Sequence, residues 1–312
     1  MTDLLSLGKT PLQVSRLGVG TWSWGDKSIW GYGKEYSDAD LREAFKTSVA
    51  SGISFFDTAE LYGFGKSEEL LGEFIRESRA DVTVATKFFP YPWRPGRRSV
   101  LSALRRSLKR LNLPSVDLYQ VHWSFHLLSI PSMMSVLSEA VGEGLTKAVG
   151  VSNYSADQMR RAADALAKYR IPLASNQVEY NLLHCSPEQD GVLEACKETG
   201  VTLIAYSPLA MGMLTGKYSK HNLPRGYRGL RYRGLNFAEF ERLMDLLASI
   251  GESHGAKTRA QVALNWLMSR DVIPIPGAKN GNQAAQNAGA LGWKLSDDEV
   301  ETIHAAALRV KN

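Results

Sequence analysis

Three features of the sequence predict an α/β chain folded as a (β/α)8 TIM barrel. Short apolar runs alternate with longer stretches of helical periodicity along the whole chain. Eight such runs follow an N-terminal hairpin, and eight strands are the number that closes a parallel barrel. Polar residues bunch at the carboxyl ends of the runs, where barrels of this kind carry their active sites. No linker or shift of composition breaks the pattern, so a single domain is expected over residues 1–312. An open doubly wound sheet is the alternative. It is disfavoured because no strand leads into G-x-G-x-x-G and no phosphate-loop pattern occurs.

The chain opens with two short strands, Leu4 to Leu7 and Leu12 to Val14, around Gly8-Lys9-Thr10-Pro11, a hairpin expected to form a lid. The first barrel strand, Leu17-Gly18-Val19-Gly20, leads into Thr21-Trp22-Ser23-Trp24. Ser37 caps the next helix, with Asp40 in its first turn, an apolar stripe of Leu41, Phe45 and Val49, and Gly52 as its stop. The second strand, Ile53 to Phe56, is apolar on both faces and turns abruptly polar at Asp57, with Tyr62 and a permissive Gly63 close behind. A helix near Glu68 to Ser78 comes next. The third strand, Val82 to Thr86, then ends at Lys87, and the fourth, Val116 to Val121, at His122. The fifth, Ala148 to Val151, runs into Ser152-Asn153, and Ser155 with Gln158 forms a capping box for the helix that follows. The sixth strand is Asn176 to Glu179 and the seventh is Val201 to Tyr206, ending at Ser207-Pro208.

A long loop follows the seventh strand, from Ala210 to about Asn236; loops of that length are generally functional or unstructured. Two helices, containing Leu243-Leu247-Ile250 and Val262-Trp266, precede an eighth strand at Val272 to Pro276. Gly277 is expected to open a short helix, and Ser296 with Glu299 caps the last one.

With 44% hydrophobic and 22% charged residues, the 312-residue chain can bury a large core. It contains no apolar run of membrane-spanning length, and no membrane association is expected. The start, Met1-Thr2-Asp3-Leu4-Leu5, lacks a basic segment followed by a hydrophobic one. That fits a cytoplasmic protein, or an organellar one whose presequence has been removed. Cys185 and Cys196 sit in no metal-ligand spacing and suit a reducing compartment. The net charge of +5 and pI near 9.1 owe much to the segment Lys217 to Arg233, where Arg225, Arg228, Arg231 and Arg233 crowd together. Such a stretch is either solvated or binds a small phosphorylated molecule. No zinc-finger spacing or RNP-like aromatic motif points to nucleic acid.

Asp57, Lys87 and His122 follow three consecutive strands, and Tyr62 joins them from the loop after the second. Taken singly, each has a packing or surface explanation. Their joint appearance at consecutive strand ends is hard to obtain from packing alone. Chemistry explains the grouping. A phenol with an ordinary pKa of about 10 is a poor acid near neutrality, and an ammonium from Lys87 is expected to favour the phenolate and make Tyr62 a better donor. Asp57 would keep that buried cation paired, and His122 could hydrogen-bond a carbonyl oxygen. The set protonates an oxygen on which negative charge develops. It holds no nucleophile, so the other reactant, such as a hydride, must come from elsewhere.

Several segments together resemble the aldo-keto reductase superfamily over essentially the whole chain. They are Phe56-Asp57-Thr58-Ala59-Glu60-Leu61-Tyr62-Gly63, Thr86-Lys87, Val121-His122-Trp123, Gly150 to Tyr154, Ala205 to Leu209 and Ile275-Pro276-Gly277-Ala278-Lys279. The run from Pro208 to Lys217 is similar to that of bacterial and plant-type members. The resemblance implies that Asp57, Tyr62, Lys87 and His122 form a catalytic tetrad with Tyr62 as general acid. It also implies an NADPH/NADP+ cofactor extended across the barrel mouth. Thr21 and Trp22 would contact the cofactor, Ser152, Asn153 and Gln177 would hold the carboxamide of its nicotinamide end, and Tyr206 would stack on the ring. Ser207, Leu209, Gly212 and Lys217 would hold the pyrophosphate. Gly277, Ala278, Lys279, Gln283, Gln286 and Asn287 would hold the adenosine end, with Lys279 and Arg228 suited to a 2′-phosphate. Gln286 stands where many relatives carry an acid, and Asn280 where they carry Ser or Arg. The substrate would be a small aldehyde or reactive ketone, with pyridoxal, methylglyoxal, short sugars and aromatic aldehydes as candidates. Trp24, Trp30, Phe89, Trp93 and Trp123 are expected to line its site. The same resemblance admits an NADP-binding partner module like a potassium-channel β subunit. A monomer or weak homo-oligomer is expected.

Overall fold

Eight parallel strands run side by side in chain order, in a computed structural model that describes residues 4–94, 96–224 and 226–310. Arg225 therefore lies outside the described residues, as do Met1 to Asp3. The hairpin pairs β1 (Leu4–Ser6) with β2 (Gln13–Ser15). The barrel follows as β3 (Gly18–Gly20), β4 (Phe55–Asp57), β5 (Thr83–Phe88), β6 (Val116–Val121), β7 (Thr146–Ser152), β8 (Leu173–Glu179), β9 (Thr202–Tyr206) and β10 (Ile273–Pro274). The seam between β3 and β10 is drawn together by a hydrogen bond from Gly20 N to Pro276 O at 3.1 Å. Only glycine fits there, because a Cβ on Gly20 would lie 2.8 Å from Ile275 O and one on Gly18 would lie 2.9 Å from Ile275 Cγ2.

The barrel interior is packed, as inward positions of a small barrel must be. Phe55, Ala85, Leu118, Ala148, Ala174, Ile204, Ile273 and Ile275 fill it. Leu7 and Val14 of the hairpin belong to the same buried cluster, and Gly8 N donates to Thr202 Oγ1 at the start of β9 (2.6 Å). The hairpin expected to be a lid is thus a plug at the amino-terminal end, opposite the polar strand ends. A second, larger core lies between the strands and the surrounding helices; Phe45, Phe56 and Phe74 pack there, with Phe45 and Phe56 ring centroids 4.8 Å apart.

The caps read from sequence are present. Ser37–Asp40, Ser155–Gln158 and Ser296–Glu299 all form reciprocal capping boxes, each satisfying donors that a helix start leaves open. Several boundaries differ: β7 and β8 begin earlier than expected, at Thr146 and Leu173, and β10 is confined to Ile273–Pro274. β5 continues through Lys87 to Phe88. The helix after β10 begins at Gly281 rather than Gly277, because Asn280 caps it by accepting from Gln283 N at 2.9 Å. The long loop after β9 is partly ordered by a 3₁₀ turn at Ala210–Thr215 and a short helix at Tyr227–Arg231. Among the described residues, no helix is long and apolar enough to cross a membrane.

Candidate active site

At the carboxyl end of β4 the Asp57 carboxylate is 1% exposed, and β5 delivers a Lys87 side chain that is fully buried beside it. Lys87 Nζ forms an ion pair with Asp57 Oδ1, donates to Thr58 O at 2.9 Å and lies 3.3 Å from the Tyr62 hydroxyl. A buried ammonium is tolerable only when paired and hydrogen-bonded like this. The other carboxylate oxygen, Asp57 Oδ2, accepts from Gln177 Nε2 (2.8 Å) and Gln120 Nε2 (3.1 Å). Gln120 was not legible as a site residue. The available signal was strand alternation, which puts Leu118, Gln120 and His122 on one inner face.

Tyr62 starts a tight turn, Tyr62–Gly65, in which Gly63, Phe64 and Gly65 all have positive φ (55°, 57° and 95°). Gly63 adopts this freely, as its sequence context suggested; Phe64 bears the strain of a left-handed backbone while 95% exposed. Burial first, and the Asp57 charge second, push the Tyr62 phenol well above its ordinary value. The expectation that Lys87 would lower it is therefore corrected. The ammonium's field is largely cancelled by its own carboxylate partner, and burial decides. Lys87 is itself shifted down by burial, against the opposing pull of Asp57.

His122 ends β6 with its ring edge-on to Tyr62, centroids 5.8 Å apart at 83°. The imidazole is pushed well below its ordinary value by burial, then by the Lys87 charge. Its Nδ1 is buried with no hydrogen-bond partner. A neutral ring with an unused polar atom at the mouth suits a polar ligand.

The residues of the expected nicotinamide end are mutually bonded. Ser152 Oγ donates to Gln177 O (2.8 Å), Asn153 Nδ2 to His122 O (3.0 Å), and the Tyr206 hydroxyl to Asn153 Oδ1 (3.1 Å). Asn153 holds a left-handed backbone (φ 59°). Thr21 lies behind the site, fully buried and bonded to Asp57 O and Ser67 Oγ, whereas the Trp22 ring faces Tyr62 at 6.4 Å. Beyond β9, Ser207 takes positive φ and Leu209 is half-buried, Ala210, Met211 and Gly212 take positive φ in succession, and Lys217 is exposed.

At the expected adenosine end, Lys279 Nζ donates to Trp30 O (2.8 Å) and lies 3.5 Å from Glu35 Oε2. Lys279 and Arg228 each lie 5.2 Å from the centre of the Trp30 ring. Burial, then Arg228 and Lys217, push the Lys279 ammonium down, against Glu35. Three cations facing one carboxylate fit an anion, and the buried Trp30 Nε1 beside them has no partner. Gly277 keeps its face open towards Ser23 Oγ, a buried hydroxyl that also lacks a partner. Ala278 O accepts from Trp24 Nε1 (3.0 Å), Gln283 Oε1 from Lys279 N (2.9 Å), and Asn287 Nδ2 donates to Gly277 O (3.2 Å). These bonds shape the loop. Gln286 is exposed, and its carbonyl accepts from Gln261 Nε2.

One of the expected substrate residues is misplaced by the sequence reading. Trp24 is fully buried against Phe74 and supports the Ala278 loop. Trp30 packs on the two cations and edge-on against Trp22 (5.5 Å), whose ring faces Tyr62, on the other side of the mouth from the Phe89 wall. That wall consists of Phe89, 5.6 Å from the His122 ring, with Tyr91 (4.6 Å) and Phe125 (6.1 Å) against it. Trp93 stacks on Tyr91 and Trp123 on Phe125. Tyr91 and Phe125 were missed, although aromatics spaced two apart in a loop were a visible signal. The second half of the wall is anchored by His126. Its Nδ1 faces Leu128 O (2.5 Å), which can only accept, so Nε2 accepts from the Tyr154 hydroxyl (2.6 Å).

Comparison with known proteins bears on this geometry. A family model described as "Aldo/keto reductase family" matches residues 16–307. The chain is 42% identical over 310 residues to "Pyridoxal reductase, chloroplastic" of Arabidopsis thaliana, covering 95% of this chain and 84% of that protein. It is 35% identical over 290 residues to "Aldo-keto reductase yakc [NADP(+)]" of Schizosaccharomyces pombe, covering 86% of this chain and 83% of that one. A crystal structure of the thermostable aldo-keto reductase Tm1743 with the inhibitor epalrestat superposes with a TM-score of 0.77 at 32% identity, covering 97% of this chain and 99% of its own.

Proposed function

The chain belongs to the aldo/keto reductase family, an oxidoreductase family, and from that premise we propose that it reduces aldehydes or reactive ketones to alcohols with NADPH, Tyr62 serving as general acid. The observation that carries this reading is the buried Lys87, held between Asp57 and the Tyr62 hydroxyl. A reduced nicotinamide, when bound, supplies the hydride. The protein's own part is to receive the charge that forms on the carbonyl oxygen. Tyr62 gives that oxygen its proton, and the Lys87 ammonium stabilises the phenolate left behind. Asp57 keeps the ammonium charged, while Gln120 and Gln177 keep Asp57 turned towards it. Neutral His122 hydrogen-bonds the same oxygen and orients the substrate.

Because the His122 ring stays neutral well below the ordinary histidine value, reduction is expected to show no ionisation near pH 6.5 or so. The depressed group gains its proton only at lower pH, so kcat/KM should be flat downward through that value. A limb centred there that disappears in His122→Asn would contradict this assignment.

The cations at Lys279, Arg228 and Lys217 support NADPH over NADH. Lys279→Met is expected to weaken NADPH binding by about 10–100-fold, the worth of a charge-assisted hydrogen bond. NADH binding should change by less than about threefold. Titration of tryptophan fluorescence measures both, and equal losses would remove Lys279 from cofactor choice. The aromatic wall and the relative named pyridoxal reductase favour a flat heteroaromatic aldehyde, with pyridoxal the first to try. Cofactor-absorbance assays against pyridoxal, an aromatic aldehyde, methylglyoxal and a short sugar aldehyde test this. A clear preference for methylglyoxal or the sugar would overturn the flat-substrate reading.

A further inference from the structure

The wall beside His122 depends on one ion pair. Glu60 lies between Asp57 and Tyr62 in sequence, and its carboxylate is 9% exposed against 12% for Arg94. The two meet as fork on fork: Glu60 Oε1 accepts from Arg94 Nη1 (2.7 Å) and Oε2 from Arg94 Nη2 (3.0 Å). Glu60 Oε1 also accepts from the backbone N–H of Phe89 (2.8 Å), and Arg94 Nη1 donates to Phe89 O (3.2 Å). The Arg94 guanidinium sits over the rings of Phe88 and Tyr91, at 5.0 and 5.8 Å. Backbone bonds Tyr91 N to Phe89 O and Arg94 N to Tyr91 O close the same turn. Among the described residues, no other side chain from outside residues 89–94 hydrogen-bonds to this segment.

Burying both charges costs about as much as their attraction returns, so the pair is a poor device for stability and a good one for fixing a conformation. The conformation it fixes is the one that sets Phe89 against His122 and stacks Trp93 on Tyr91. Arg94 is fully engaged by Glu60 and is therefore not a receptor for an acidic group of the substrate. We propose that the Glu60–Arg94 pair is a positioning element for specificity, selecting flat aromatic carbonyl compounds by holding the Phe89–Tyr91–Trp93 wall in place. This rests on the reading of the mouth as a carbonyl-reducing site.

The test compares an aromatic aldehyde with methylglyoxal in the full chain. Arg94→Met is expected to raise KM for the aromatic aldehyde by about tenfold. Its kcat, and both parameters for methylglyoxal, should stay within about twofold. Arg94→Lys, which cannot form the fork, should fall between. Since Arg94→Met leaves a buried carboxylate alone, the double variant Glu60→Gln/Arg94→Met guards against simple misfolding and should show the same split. Near-ultraviolet circular dichroism should report loss of the Tyr91–Trp93 stack in both. Equal losses on the two carbonyls in an active parent, or an unchanged KM for the aromatic one, would overturn this proposal. Failure of the parent to turn over either carbonyl with NADPH would instead sink the reductase reading beneath it.

Discussion

Replacing Tyr62 with phenylalanine is expected to lower kcat for carbonyl reduction by about a thousandfold, within the range for loss of a positioned general acid. NADPH affinity should change by less than about twofold, because the lost hydroxyl bonds only to Lys87 among the described residues. The ring itself would remain against Trp22 and His122, so the pocket keeps its shape. Stopped-flow reduction with saturating cofactor separates the two quantities. A Phe variant with near-parental kcat would show that another group, or water, protonates the oxygen. The elevated phenol does not weaken this expectation. A phenol that holds its proton through the neutral range is fully loaded before each turnover. Transfer becomes favourable as charge builds on the oxygen it faces, because that oxygen then becomes the stronger base.

The second large effect concerns Lys87. Lys87→Met should destabilise the fold by about 3–5 kcal/mol, since it strands the Asp57 carboxylate without its cation in the interior. It should also remove activity. Pairing it with Asp57→Asn is expected to restore most of the stability, because an amide in that pocket can still be hydrogen-bonded by the two glutamines. Activity should stay absent, since nothing remains to stabilise the phenolate. Chemical denaturation of the parent and the two variants, read beside their turnover, decides the matter. If the double variant regained turnover, the ion pair would be scaffolding rather than chemistry.

Much of this arrangement was legible before any coordinates. Asp57, Lys87 and His122 announce themselves because each breaks an apolar run at its end, and a barrel brings such ends to one mouth. Gln120 does not, since a mid-strand amide looks like any half-exposed strand residue until the strand is known to face inward. Trp24 and Trp30 show a different limit. Sequence places them after the first strand but not in a direction, and one went to the core while the other stayed at the mouth, between Trp22 and the two cations. The Tyr62 shift was misjudged for a related reason. Neighbours can be read from motifs, whereas burial follows from the whole packing. Glu60 and Arg94 stand 34 residues apart, and nothing local joins them.

The plugged floor of the barrel has an electrical consequence. Leu7 and Val14 are fully buried, and the inner layers above them, Phe55, Leu118 and Ile204, are equally sealed. Among the described residues this floor is built of buried apolar side chains, and Lys87 and Asp57, themselves buried, interact above it through a poorly screening medium. A hairpin with no polar part in the reaction thus acts as an insulator for it. A leak at the far end, by truncation or by a polar residue at Leu7, would soften the field around Asp57 and Lys87 without touching either one.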